Sequence, residues 1–170
     1  MDAKDTGLKQ LKRNLNPGDD LRLIQEIKIL RGKEAIPGAI LLLLDIFEKT
    51  RNEAVKKEIE EFLNDLNHQG SVGEVISAID AAGKEHTKQV FISSCWQSGL
   101  DYSSHMHRFI EYSINLDYIS ALECYSVIEE WSGSAVSEDT QVWIKMINDS
   151  LDNQSEEKKT LLKAIISVLQ

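Results

Sequence analysis

The sequence predicts an all-α fold, an α-solenoid of about five antiparallel helix pairs. Apolar residues recur at helical spacing almost throughout the 170 residues, and the alternating pattern typical of strands is absent. Proline occurs only at Pro17 and Pro37, so little interrupts the helices. The helices also group into pairs that recur along the chain, which is typical of a helical-repeat protein.

The first predicted pair covers residues 3–31, with a break at Asn16-Pro17-Gly18. Asp19 fits the N-cap of the second helix, because its carboxylate can accept a hydrogen bond from a first-turn N–H group. Gly32 is the expected C-cap of that helix. Helical spacing predicts an apolar stripe on each helix: Leu8, Leu11 and Leu15 on the first, then Leu21, Ile24, Ile27 and Leu30 on the second, with Leu23 beside it.

The second predicted pair covers residues 36–66. Pro37 suits the first turn of its first helix, where no backbone N–H donor is needed. A short polar turn at residues 50–52 follows, and Asn52 can cap the second helix.

Three further pairs are predicted at residues 71–98, 102–131 and 137–169, with Ser71 and Ser155 as caps. The second helices of the five pairs begin near residues 19, 53, 84, 117 and 155, at intervals of 34, 31, 33 and 38 residues. A two-helix repeat of this period predicts one helical-repeat domain over residues 1–170.

The second pair resembles a HEAT repeat. The resemblance is carried by Pro37 in the first helix, the polar turn at 50–52, the Val55-Lys56 step, and Leu63 with Leu66 in the second helix. The later pairs share the period without the proline or the valine–basic step, and Asp117 to Trp131 retains only an apolar core of Ala121-Leu122 and Val127-Ile128. An armadillo-like array fits the same period, whereas tetratricopeptide repeats lack support because their Trp-Leu-Gly-Tyr framework is missing.

The resemblance implies a right-handed α-α superhelix whose second helices line a concave face. Proteins of this kind usually bind other proteins, and some bind DNA or modify substrates.

The charge of the chain is acidic and uneven. There are 19 basic and 28 acidic side chains, a formal net charge of −9. Residues 1–35 carry 8 basic and 6 acidic groups, net +2, whereas residues 101–135 carry 1 basic and 6 acidic groups, net −5. A general nucleic-acid binder needs clustered Lys and Arg, so this balance argues against one.

The sequence also predicts a cytoplasmic protein. No stretch approaches the ~20 apolar residues of a membrane span, and Met1-Asp2-Ala3-Lys4-Asp5 lacks the pattern of a signal peptide. Cys95 and Cys124 lie in helical patterns outside any CxxC pair, so buried reduced thiols are expected, with a disulfide as the alternative if their helices are neighbours.

No catalytic or cofactor motif is found. His105 and His107 point about 200° apart on a helix, so they cannot share one metal ion. The adjacent acid pairs diverge in the same way, and P-loop, GxGxxG and GxSxG patterns are absent. The sequence therefore predicts no enzyme, no cofactor and no metal site.

Aromatic residues concentrate in one acidic stretch of the chain. Eight of the eleven Phe, Trp and Tyr residues lie between 91 and 131. Either these rings fill the core, or they form a docking patch, because Tyr and Trp are favoured at binding hot spots. The residues predicted to bind a partner are Tyr118, Glu123, Glu130 and Trp96, and Tyr118 is the aromatic most expected to be exposed.

We therefore expect a protein-interaction scaffold that binds a basic or amphipathic segment of a protein partner on its concave face, with the third and fourth pairs contributing most. One alternative is a HEAT-like enzyme, similar either to bilin lyases or to alkylpurine DNA glycosylases; the glycosylase variant would need a basic concave groove with exposed aromatic residues. Another is a purely structural assembly or dimerisation protein, favoured if the last helix exposes an apolar face made of Leu161, Leu162, Ile165, Ile166 and Leu169.

Overall fold

The all-α prediction is confirmed by a computed structural model of the chain, which describes residues 3–15, 18–33, 35–134 and 137–170. These residues form ten α-helices joined by short turns, some of which include a 3-10 turn. The helices are α1 Ala3–Asn14, α2 Asp20–Arg31, α3 Ala39–Lys49, α4 Glu53–Asn64, α5 Val72–Ala81, α6 Glu85–Gln97, α7 Met106–Asn115, α8 Tyr118–Trp131, α9 Ser137–Ser150 and α10 Glu156–Leu169.

The chain divides into two compact units, Met1–Leu100 with α1 to α6 and Asp101–Gln170 with α7 to α10. In each unit a helix packs against its neighbour in sequence and against the helix two places further on. In the first unit, α2, α4 and α6 thus form one layer and α1, α3 and α5 the other. In the second unit, α8 packs on α10, and α7 packs on α9. The sequential packing fits the predicted helical array, while the single-domain assignment stays a prediction.

Several predicted caps are confirmed by their hydrogen bonds. Asp19 accepts from the N–H group of Arg22 at 3.1 Å, and Asn52 accepts from that of Ala54 at 2.9 Å. Ser155 Oγ accepts from the N–H group of Lys158 at 3.3 Å. Each cap satisfies a first-turn donor that has no partner within its own helix.

Two helix starts differ from their predicted positions or caps. Pro37 does not open the third helix, which begins at Ala39 after Gly38 in the left-handed conformation, with φ of 87°. A Cβ atom at Gly38 would lie 2.8 Å from Leu8 Cδ2, so both backbone and packing favour glycine there. Ser71 makes no side-chain cap hydrogen bond; it is buried at the end of a 3-10 turn that leads into α5.

The predicted core stripe of α2 is wrong at its first residue. Leu23, Ile27 and Leu30 are buried, whereas Leu21 is 76% exposed. Leu23 and Ile27 are four residues apart and face the first-unit core together, which turns the side chain of Leu21 outward.

Polar contacts join neighbouring repeats of the first unit at the repeat period. Arg31 on α2 binds Glu58 at 3.0 Å, Glu61 at 2.8 Å, and Asp65, which is 34 residues further on. Asn64 on α4 donates to Gln97 on α6 at 3.0 Å. These bonds between equivalent helices fix the register of the second-helix layer.

The second unit has its own core. Tyr102, Phe109 and Cys124 are fully buried, and the rings of Tyr102 and Phe109 meet edge to face at 5.8 Å. The amine of Lys158 on α10 donates to the carbonyl of Ile114 at 2.7 Å and to that of Leu116, and so caps the C-terminal end of α7.

The last helix contributes to this core. Of the five apolar residues whose exposure would favour the assembly alternative, Ile166 is half-buried and the other four are buried: Leu161, Leu162, Ile165 and Leu169. They form no exposed apolar face that would support assembly through α10.

Candidate functional site

The outer face of α8 is the feature of the second unit that best fits a docking surface. Ala121, Cys124, Val127 and Ile128 face the core. The opposite side, which we call the α8 face, exposes Tyr118 by 40%, Ile119 by 46% and Leu122 by 42%. Leu122 lies four residues after Tyr118 and three after Ile119, so it adjoins both and the three side chains form one apolar patch.

Carboxylates follow the apolar patch along the same face. Glu129 and Glu130 are exposed one to two turns after Tyr125, and the half-buried Glu123 lies at the flank. The hydroxyl of Tyr125 donates to Glu129 at 2.9 Å, and this hydrogen bond raises the pKa of Tyr125 above its ordinary value. Residues 118–131 include no Lys or Arg, so α8 brings no positive charge of its own to the face.

Three of the four predicted partner-binding residues are on this helix. Tyr118 belongs to the apolar patch, and Glu123 and Glu130 belong to the acidic part. Trp96 lies on α6 of the first unit and is as exposed as Tyr118, at 40%. The partner-binding role of all four remains a prediction.

Sequence reasoning missed Ile119 and Leu122. Leu122 was assigned to an apolar core together with Ala121, and this assignment is wrong because Leu122 is exposed. The available signal was its spacing: Leu122 lies four residues after Tyr118, on the side opposite the buried Cys124.

Most of the aromatic cluster is core. Phe91, Tyr102, Phe109 and Tyr112 are buried, each within its own unit. Edge-to-face contacts link Phe109 to Tyr112 as well as to Tyr102. The exposed aromatics of the 91–131 stretch are therefore Trp96 and Tyr118.

Cys95 and Cys124 are both buried, as predicted. The prediction that His105 and His107 point apart on one helix is wrong: their rings stack at 6.4 Å, because His105 lies in the 3-10 turn before α7. Burial lowers the pKa of His105, and the neighbouring His107 and Arg108 lower it further. Within the described ranges, no group of three or more His, Cys, Asp or Glu side chains is arranged to hold a metal ion.

A cleft of about 590 Å³ lies in the first unit between the turns that follow α2 and α4. Its floor is apolar, with Leu30, Ile40 and Phe62. Its carboxylates are already engaged: Asp65 with Arg31, and Glu74 with the N–H groups at the start of α3. The cleft therefore has a volume typical of ligand pockets, but its acidic groups Asp65 and Glu74 already bind other groups of the protein.

Glu74 binds the backbone N–H groups at the N-terminal end of α3. Its carboxylate accepts from the N–H groups of Gly38 at 3.0 Å, Ile40 at 2.8 Å and Leu41 at 3.2 Å. A side chain of α5 thus fills the anion site that the N-terminal end of α3 would otherwise present.

Comparison with known protein families, with curated proteins and with solved structures finds no match for this chain. None of the helices in the described part of the chain combines the length and apolarity required to traverse a bilayer.

Proposed function

We propose that this protein is a HEAT-like, right-handed helical-repeat module that binds a partner protein through the α8 face. The observation that carries the proposal is the arrangement of α8: an exposed apolar patch of Tyr118, Ile119 and Leu122 beside an acidic end with Glu129 and Glu130. A partner helix with apolar residues on one face and Lys or Arg at its edges complements both parts. We expect the protein to act in the cytoplasm and to bind its partner without a cofactor.

The apolar patch would supply most of the affinity. Full burial of a leucine contributes roughly 1.5–3 kcal/mol, and Leu122 has 42% of its surface left to bury, so about 1 kcal/mol is expected from it. Tyr118 and Ile119 would add similar amounts. Exposed charge pairs contribute only about 0.2–1 kcal/mol each, so the carboxylates would set orientation and association rate more than affinity.

The absence of Lys and Arg from residues 118–131 supports a protein partner over a nucleic acid, because a phosphate-binding groove needs positive charge. The enzyme alternative gains no support from this face: Glu129 and Glu130 are exposed, Glu123 is half-buried at its flank, and the hydroxyl of Tyr125 donates to Glu129.

The experiment is a binding titration of the full chain with a fluorescent amphipathic peptide that carries leucines on one helical face and lysines at its edges. We expect saturable binding that weakens with salt, because exposed ion pairs are screened. Leu122→Asp should remove most of it. Glu123→Lys with Glu130→Lys should weaken it roughly five- to thirtyfold, which corresponds to the loss of about 1–2 kcal/mol.

The matched control is Asp45→Lys with Asp149→Lys, which makes the same change in net charge on α3 and α9. This variant should bind the peptide nearly as well as the wild type. Equal loss in both double variants would show that net charge alone drives binding, and no binding by the wild type would overturn the proposal. The wild type and the Glu123/Glu130 variant can then be compared as baits for cellular partners.

A further inference from the structure

A second exposed apolar face lies on α2. Leu21 is 76% exposed and Ile29 is 49% exposed. They lie eight residues apart, on the side opposite the buried Leu23 and Ile27. We call this surface the α2 face.

The charged side chains of the α2 face are basic. Arg22 and Lys28 are both exposed, on either side of the line between Leu21 and Ile29. Lys28 lies 3.6 Å from Glu58 of its own chain, and its side chain nevertheless remains 61% exposed. The α2 face is therefore a basic amphipathic helix surface, the chemistry that the α8 face is expected to bind.

The spacing of the charges on the two faces also matches. Arg22 and Lys28 are six residues apart, and so are Glu123 and Glu129. Six residues of helix correspond to about 9 Å, so two helices side by side can align both pairs at once. If the helices run parallel, this alignment places Leu21 level with Leu122 of the apolar patch and Ile29 level with Glu130.

We propose that the α2 face of one copy of this chain docks on the α8 face of a second copy. The proposal rests on the α8 face being a docking surface, and it names that surface's occupant. The contact is heterologous, because each copy offers two different faces. The α8 face of one copy can thus bind the α2 face of a second copy, while its own α2 face binds the α8 face of a third. Assemblies of two or more chains are therefore allowed.

The test is analytical ultracentrifugation of the full chain at low salt over a range of concentrations. We expect the average mass to rise with concentration from that of one chain, 19.2 kDa, to at least that of two chains. High salt should lower it, because the facing charges are screened. A wild type that stays monomeric at about 0.5 mM in low salt would overturn the proposal, since even weak specific contacts populate at millimolar concentrations.

Two variants distinguish this contact from other modes of association. Leu21→Asp spoils only the α2 face and Leu122→Asp only the α8 face, so each should remain monomeric alone. An equimolar mixture should form dimers of one chain of each kind, because one good face of each type remains. Association of either variant alone at wild-type strength would contradict the α2–α8 contact.

Further variants guard against misfolding and non-specific effects. Arg22→Glu with Lys28→Glu keeps the apolar residues and should weaken association at least tenfold. Val142→Asp, a similar change at an exposed residue of α9, should leave it unchanged. If the amphipathic peptide binds and the wild type does not associate, the α8 face is a docking surface for another protein and this proposal alone fails. If the peptide fails as well, the proposed function fails with it.

Discussion

Arg31 pairs with the largely buried carboxylate of Glu58. Replacing Arg31 should therefore lower the stability of the fold. The side chain of Glu58 is only 7% exposed and that of Arg31 26% exposed, and their atoms lie 3.0 Å apart. Hydrogen bonds to Asp65 and Glu58 raise the pKa of Arg31 further above its already high ordinary value, so it stays charged at any relevant pH. Arg31→Met would leave Glu58 buried with only the looser contact to Lys28.

The expected cost can be bounded from this geometry. Breaking a fully buried pair by removing one partner costs about 3–5 kcal/mol. Because Arg31 is partly exposed and Lys28 remains, we expect roughly 2–3 kcal/mol for Arg31→Met. In a chain of this size that corresponds to a fall in Tm of about 4–12 °C.

Urea unfolding followed by circular dichroism measures this cost, and a second substitution isolates its cause. Arg31→Met with Glu58→Leu removes the buried charge together with its partner, so the double variant should be more stable than Arg31→Met alone. Lys57→Met serves as the control: its contact with Glu61 is long, at 4.0 Å, and its side chain is 77% exposed, so its loss should cost less than about 0.5 kcal/mol. An equally small cost for Arg31→Met, or a double variant less stable than the single one, would refute the reasoning.

Three further substitutions test other contacts. Glu74→Ala should cost about 1–2 kcal/mol in urea unfolding, because the N–H groups that open α3 lose their acceptor, whereas Glu74→Gln should cost less; equal costs would argue against a capping role. Lys158→Met should cost about 1–3 kcal/mol because the carbonyls of Ile114 and Leu116 lose a charged donor, and a neutral result would show that water replaces the amine. His105 has a lowered pKa, so the folded chain binds its proton less readily than the unfolded chain does, and the stability from this group is lost as pH falls from about 6.5 through the folded-state pKa. Over that window the stability of His105→Gln should fall less than that of the wild type, and parallel pH curves would contradict this.

Much of the helical framework can be predicted from local sequence. Asp19, Asn52 and Ser155 cap the helices that their side chains suggest, because capping depends on a few neighbouring residues. Pro37 is different: it also fits a turn, and Gly38 beside Leu8 moves the helix start to Ala39 through a contact between distant residues.

The exposed faces were harder to predict. Leu21 and Leu122 both fit helical apolar stripes, and both are exposed. A stripe of apolar residues indicates that a helix has a buried side without fixing its edges, since these depend on how neighbouring helices cross it. Sequence alone therefore predicted that Tyr118 is exposed, but it assigned Leu122 to the core and placed Leu21 in a core stripe.

The central claim, that the α8 face is the docking surface, is tested most directly by an NMR titration. The ¹⁵N-labelled full chain is titrated with the lysine–leucine peptide, and the backbone amide shifts are followed residue by residue. We expect the largest changes in residues 118–130, and we expect them to vanish in Leu122→Asp. Changes centred on the cleft between residues 30 and 74, with α8 unaffected, would contradict it.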